Sequence, residues 1–136
     1  MKRLMGIDYG DARVGIALSD LLGITAQGYA TLKNTHDEEL FLEIQKIIGE
    51  KEVGKIILGL PKNMDNTEGF RAEATYEFAE KLKEYTDKEI VFWDERLSTV
   101  AAHSYMNTLD IRGKKRKGLV DTIAAALILE NYMQSN

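Results

Sequence analysis

The spacing of apolar and polar residues divides the chain into short strands and amphipathic helices. Apolar residues over 3–8, alternating residues over 14–19 and a third run over 24–32 predict three consecutive strands. Gly10-Asp11-Ala12 and Leu22-Gly23 supply the residue types that turns require between them. Compact apolar runs over 55–60 and 88–93 predict two more strands. We therefore expect five strands, the first three forming a meander.

Apolar residues at helical spacing separate and follow the later strands. Four helices are predicted: one carrying Leu40, Phe41, Ile44, Ile47 and Ile48, one carrying Phe70, Ala74, Phe78 and Leu82, one beginning at Ser98 or Thr99, and one over 119–133. Glycine and charge over 109–117 predict a mobile loop before the last helix. A meander followed by two βα units predicts an α/β protein with a mixed five-stranded sheet and helices on both faces.

The composition limits the chemistry that is open to this protein. At 136 residues, with 44% apolar and 29% charged residues, the chain is expected to form one domain over 1–136. Without cysteine it has no disulfide, thiol nucleophile or cysteine-based zinc site, and its two histidines exclude a histidine-rich metal site. Any metal would sit on oxygen, which favours Mg²⁺ or Mn²⁺. No apolar run approaches the roughly 20 residues of a membrane span, and the first residues lack the apolar region of a signal peptide. The absence of cysteine fits a reducing cytoplasm.

The formal charge of −4 excludes a uniformly basic surface, but the basic residues are unevenly distributed. Five of them fall within six positions: Arg112, Lys114, Lys115, Arg116 and Lys117. Such a cluster is either a local patch that binds phosphates or a solvated loop. The loop after Gly59 offers a second candidate, because Lys62 and Asn63 precede a predicted helix whose backbone N–H groups could hold a phosphate. An ordinary connection explains that loop equally well.

Carboxylates lie at the end or the beginning of three of the predicted elements. Asp8 ends the first strand, Asp94 and Glu95 follow the fifth, and Asp121 opens the last helix on its apolar face. Because neighbouring strand residues point to opposite faces, only one of Asp94 and Glu95 can face the other acids, and we favour Glu95 with Asp94 or Arg96 as support. Each acid also has a simple structural explanation, namely a turn residue, an Asp94–Arg96 ion pair or a helix-dipole partner.

Two carboxylates about 4 Å apart repel by roughly 4 kcal/mol at an effective dielectric constant of about 20. A cluster of three therefore needs a cation, and two divalent ions bridged by carboxylates can hydrolyse a phosphodiester. We predict Asp8, Glu95 and Asp121 as catalytic and metal-binding residues. The same repulsion predicts that Asp8→Asn or Asp121→Asn leaves the metal-free protein at least as stable as wild type.

Several motifs together resemble the YqgF (RuvX) family over essentially the whole chain. They are Gly6-Ile7-Asp8-Tyr9-Gly10, the run from Gly15 to Asp20, Gly59-Leu60-Pro61, the run from Asp94 to Thr99, and the run from Asp121 to Ala125. The resemblance implies an RNase H-like fold, a cytoplasmic bacterial protein and a nuclease that matures the 5′ end of pre-16S rRNA. It also implies that Asp8, Glu95 and Asp121 are the functional acids.

Three other functions compete with an RNA nuclease. A Holliday junction resolvase would cut four-way DNA junctions as a symmetric dimer, whereas the sequence has no clear dimerisation stripe and predicts a monomer or weak homodimer. A phosphate-binding ATPase would share the glycines around Asp8, but it needs two such domains. In a non-catalytic RNA-binding module, the basic cluster would bind RNA and the acids would be inactive. In every case except the ATPase, the expected partner is nucleic acid, either structured precursor rRNA or DNA junctions.

Overall fold

The computed structural model describes residues 2–61, 69–94 and 113–135. Five strands and three helices lie in these ranges. They are β1 (Arg3–Tyr9), β2 (Arg13–Ser19), β3 (Ala26–Lys33), α1 (Glu38–Glu50), β4 (Val53–Leu60), α2 (Phe70–Leu82), β5 (Glu89–Asp94) and α3 (Gly113–Ser135). The helix predicted from Ser98 or Thr99 lies outside the described residues.

All five strands form one mixed sheet in the order β3-β2-β1-β4-β5. The meander is antiparallel, whereas β4 runs parallel to both β1 and β5. The first strand is therefore central, and its carboxyl end lies beside the carboxyl end of β4. This arrangement confirms the α/β class and the mixed five-stranded sheet that the element order predicted. Among the residues described, none of the helices combines the length and hydropathy that crossing a bilayer requires.

On one face of the sheet, α1 and α2 cover the larger apolar core. Asp37 caps α1, because its side chain accepts a hydrogen bond from the backbone N–H of Glu39 at 3.0 Å. The residues of α1 that were predicted to be apolar at helical spacing are all buried: Leu40, Phe41, Ile44, Ile47 and Ile48. They pack with alternate residues of the strands, including Met5, Ile7, Ile56 and Leu58. This face confirms the predicted helix and its orientation.

The predicted apolar face of α2 is confirmed at Phe78 and Leu82 and is wrong at Ala74. Among the side chains of α2 that the structure describes, which exclude that of Phe70, the buried ones are those of Ala72, Thr75, Phe78, Ala79 and Leu82. Ala74, which the spacing of four residues placed on the buried face, is only half-buried. A strict period of four drifts about the axis of a helix with 3.6 residues per turn, whereas positions 72, 75, 79 and 82 stay on one side.

On the other face of the sheet, α3 is the one helix that packs among the described residues. Ala125, Ile128 and Leu129 contact Ala17 of β2 and Ile57 of β4 in a second, smaller core. This helix begins at Gly113, six residues before the predicted start. Part of the stretch predicted as a mobile loop is therefore helical, and four of the clustered basic residues lie in the first turns of α3. Lysine and arginine are good helix formers, so charge alone does not indicate a loop.

Asp20 organises the turn between β2 and β3. Its Oδ1 accepts hydrogen bonds from the backbone N–H groups of Ile24 at 2.7 Å and Thr25 at 3.0 Å. Gly23 takes a left-handed φ of 71° within this turn. Ile24 is 71% exposed, so β3 begins at Ala26 rather than at residue 24 as the apolar pattern predicted.

The hydrogen bond from the backbone of Thr25, helped by that from Ile24, lowers the pKa of Asp20. Because the folded-state pKa is depressed, the stabilisation from this turn is present at neutral pH and is lost as the pH falls through that pKa. We expect an NMR titration to give a lower pKa for the Asp20 carboxyl in the folded protein than in urea-unfolded protein. An equal or higher folded-state value would contradict this account of the turn.

Candidate active site

The register of the first hairpin places Asp8 beside α3. Asp8 lies at the end of β1 and pairs directly with Gly15 of β2. A Cβ atom added to Gly15 would lie 2.5 Å from the carbonyl carbon and 3.1 Å from the Cβ of Asp121 in α3. Directly opposed residues of an antiparallel pair share a face of the sheet. The half-buried Asp8 and the N-terminal half of α3, with Asp121, therefore lie on the same face.

Glycines in the sheet allow the backbone of α3 to approach this closely. A Cβ at Gly6 would lie 2.7 Å from the carbonyl oxygen of Ala125, and one at Gly28 would lie 2.8 Å from the Cβ of Thr122. Gly6, Gly15 and Gly28 belong to three adjacent strands. Without side chains at these positions, α3 lies directly on the sheet, and this contact holds Asp121 near the end of β1.

The structure places Asp94 away from Asp8. In β5, Phe92 packs against the core beneath α1 and α2, whereas Trp93 packs against the core beneath α3. Strand alternation therefore puts Asp94 on the same face as Phe92, opposite to Asp8. The next residue, Glu95, lies outside the described residues, so its predicted role as the third acid stays a prediction.

The structure describes half of the residues that were predicted to contact nucleic acid. Four of the predicted residues fall outside the described ranges: Lys62, Asn63, Arg96 and Arg112. The structure describes the backbone of the remaining four, Lys114, Lys115, Arg116 and Lys117, as helical and directly preceding Asp121 in α3. The basic cluster and one predicted acid thus belong to the same helix.

Sequence reasoning missed Arg13, which forms an ion pair with Asp121. Its Nε donates to Oδ2 of Asp121 at 2.5 Å, across 108 positions of sequence. The Asp121 side chain is 14% exposed and that of Arg13 is 40% exposed. The sequence does contain one indication of this position, because strand alternation in β2 puts Arg13 on the same face as Gly15. Without knowing that α3 covers this face, however, we could not have paired Arg13 with an acid.

These residues are compatible with a divalent cation. Asp8 and Asp121 offer carboxylate oxygen atoms, the donors that Mg²⁺ and Mn²⁺ prefer. Arg13 contacts the Asp121 carboxylate through Oδ2, and among the described residues it is the cation that pairs with this acid. Within 2–61, 69–94 and 113–135, no group of three acids, histidines or cysteines gathers into a metal site. The third predicted acid, Glu95, lies outside these ranges.

The ion pair reverses the stability expected for one variant. Asp121→Asn removes the partner of Arg13, so we now expect the metal-free protein to lose about 1 kcal/mol rather than to gain stability. A double-mutant cycle with Arg13→Gln and Asp121→Asn, followed by urea unfolding in EDTA, should give a coupling energy of about 1 kcal/mol. Strictly additive effects would mean that the contact contributes nothing to folding.

A model of the family described as "RuvX: Holliday junction resolvase" matches residues 2–135. The chain belongs to the RuvX family. The resemblance inferred from its motifs is thereby confirmed. Relatives named "Putative pre-16S rRNA nuclease" include one from Clostridium tetani, 48% identical over 98% of this chain and 96% of its own. Another, from Ruminiclostridium cellulolyticum, is 46% identical over 96% of this chain and 93% of its own.

Solved structures of resolvases share the RuvX fold at low sequence identity. Thermus thermophilus RuvC aligns with a TM-score of 0.59 and 12% identity, covering 98% of this chain and 96% of its own. The fowlpox virus Holliday junction resolvase aligns with a TM-score of 0.55 and 14% identity, covering 98% and 99%. These similarities confirm the predicted RNase H-like fold. Family membership supports a nuclease, a hydrolase that acts on phosphodiester bonds.

Proposed function

We propose that this protein is a divalent-metal-dependent endonuclease that processes the 5′ end of pre-16S rRNA in the cytoplasm. One observation carries the metal-dependent part of the proposal. Folding brings Asp8 and Asp121, from opposite ends of the chain, to one face of the sheet, although clustering acids costs stability. The names of the relatives, at 46–48% identity over nearly the whole chain, support precursor rRNA as the substrate.

Asp8, Asp121 and Glu95 would hold Mg²⁺ or Mn²⁺ through their carboxylate oxygens. A bound pair of such ions would supply the charge that activates water and stabilises the leaving oxygen of a phosphodiester. Arg13 fixes the orientation of the Asp121 carboxylate through Oδ2, as hydrogen-bond partners of metal-binding carboxylates commonly do. Glu95 follows β5 directly in the sequence and is proposed as the third ligand.

The basic residues of the early turns of α3 support nucleic acid as the partner. Lys114, Lys115, Arg116 and Lys117 directly precede Asp121 in the same helix, so phosphates bound there would lie near the acids. Lys62, Asn63, Arg96 and Arg112 are proposed to extend this surface. All of these elements would act within one domain over 1–136.

A second candidate function is resolution of Holliday junctions. The description of the family model and the fold shared with two resolvases favour it. A resolvase needs two active sites related by symmetry, because two strands of the junction must be cut in register. A monomer or weak homodimer in solution would favour the RNA substrate, and a stable dimer would favour the junction.

A matched panel of substrates tests both functions. The purified protein is incubated with Mg²⁺ or Mn²⁺ and precursor 16S rRNA carrying its 5′ extension, the mature 5′ end, a four-way DNA junction, or single strands. We expect cleavage of the precursor at its 5′ extension, abolished by EDTA. If the protein makes paired symmetric nicks in the junction and leaves the RNA intact, it is a junction resolvase and not an rRNA-processing nuclease. Binding of RNA without cleavage of any substrate would leave only a non-catalytic RNA-binding module.

A further inference from the structure

Two cations face each other across β2 and β3 at the end of the sheet where Asp8 lies. Arg13 and Lys33 are direct partners in the antiparallel register. Leu32 packs against the core beneath α1 and α2, so strand alternation turns Lys33 towards the α3 face. Arg13 is on that face too, because it contacts Asp121. The two side chains are therefore neighbours on one face.

This pairing of like charges works against folding. Like charges directly opposite each other in an antiparallel pair are destabilising, and the described part of the chain compensates only one of them. There, Arg13 pairs with Asp121, whereas Lys33 is exposed and takes part in no ion pair. An anion that binds between the two cations would remove this repulsion.

The geometry of Arg13 leaves most of its donors available. Asp121 contacts Nε, and within the described part of the chain the two terminal nitrogens of the guanidinium keep four N–H donors in a planar fork. Such a fork matches two oxygens of one phosphate group. Because Asp121 holds the guanidinium in place, little further ordering is needed when a phosphate binds.

We propose that Arg13 and Lys33 bind the phosphate backbone of the nucleic-acid substrate on the β3 side of the carboxylates. The proposal rests on the proposed nuclease function and extends it, because these residues lie on strands, separate from the basic run in α3. β3 is an edge strand of the sheet, so a polyanion can approach the pair from the side. The strand would then cross the face between this pair and α3.

Salt dependence of binding tests the assignment without any cleavage. Labelled duplex RNA and duplex DNA are titrated with the full-length protein in EDTA at several salt concentrations, and log K is plotted against log[salt]. Each phosphate contact that is lost should reduce the slope by about one unit. We expect Arg13→Gln and Lys33→Gln each to reduce it by about one unit, and the double variant by about two, equally on RNA and DNA.

Lys81→Gln is the matched control, because Lys81 is an exposed lysine of α2 on the other side of the sheet. It removes the same charge and should leave the slope unchanged. Lys33→Gln disturbs no described ion pair, so it reports on binding even if Arg13→Gln weakens the fold. The proposal is overturned if Lys33→Gln and the double variant show the same slope as Lys81→Gln. That result would leave the nuclease function intact. If the wild-type protein binds neither duplex and cleaves nothing, both proposals fail together.

Discussion

Asp8→Asn should reduce metal-dependent cleavage by about a thousandfold or more while leaving nucleic-acid binding in EDTA nearly unchanged. Asparagine has almost the same shape as aspartate but lacks the charge and one of the two acceptor oxygens, so it is a poor ligand for Mg²⁺. Metal ions supply several kcal/mol of transition-state stabilisation. Because about 1.4 kcal/mol corresponds to a tenfold change in rate, losing this stabilisation would reduce the rate by about a thousandfold or more. Single-turnover cleavage of precursor rRNA measures it.

Asp11→Asn provides the matched control for this experiment. Asp11 lies three residues further on, in the exposed turn between β1 and β2, and its backbone carbonyl contacts the ring Nε2 of His36 at 2.7 Å. The substitution makes the same chemical change and alters the net charge equally. We expect Asp11→Asn to cleave at the wild-type rate. Equal activity of Asp8→Asn and Asp11→Asn would exclude Asp8 from catalysis.

Gly15→Ala should destabilise the protein by about 3 kcal/mol and reduce cleavage as well. The new methyl group would lie 2.5 Å from the carbonyl carbon of Asp121, a distance that only a shift of the α3 backbone can relieve. Overpacking of this kind costs roughly 1–3 kcal/mol, and here the atoms that the methyl group would meet on Asp121 are backbone, which cannot rotate away as a side chain can. The same shift moves Asp121 away from the end of β1, so activity should fall under conditions where the variant is still folded. Urea unfolding and cleavage assays measure the two effects.

Gly49→Ala is the control for Gly15→Ala. Gly49 lies in α1, and a Cβ atom there would meet nothing within 4 Å. Alanine favours a helix over glycine by up to about 1 kcal/mol, so this variant should be as stable as wild type or slightly more so. If Gly15→Ala behaves like Gly49→Ala, α3 does not lie on the sheet as closely as described, and the placement of Asp121 fails with it.

The regular elements could be predicted where one face of an element is buried and the other is exposed. The apolar residues of α1 repeat with the helical period because only that side meets the sheet. The alternation in β2 likewise predicted a strand. Prediction failed at boundaries, where local preferences compete: Ile24 lies in a turn although it continues an apolar run, and the basic residues before Asp121 join α3. The prediction that Ala74 of α2 is buried also failed, because a small side chain such as that of alanine can lie on either side of a helix.

The carboxylates could be proposed as candidates from sequence because each lies at an end of a predicted element, next to an apolar run where a buried charge is costly, although α3 in fact begins eight residues before Asp121. That reasoning identified Asp8 and Asp121 as candidates and favoured Glu95 over Asp94. The packing of Phe92 and Trp93 on opposite faces removes Asp94 from the face of Asp8. The part played by Glu95 remains a prediction that its own substitution can test.

By itself, the sequence determined the α/β class and the family and predicted an oxygen-rich donor set, because these depend on residue types, short-range periods and motifs along the chain. Only the tertiary structure decided that Gly15 brings Asp121 towards Asp8, that Arg13 pairs with Asp121, and that Lys33 lies beside Arg13. Those relations join residues from different elements through strand register and helix packing. They depend on which face of the sheet α3 covers, and that face cannot be predicted from any local pattern in the sequence.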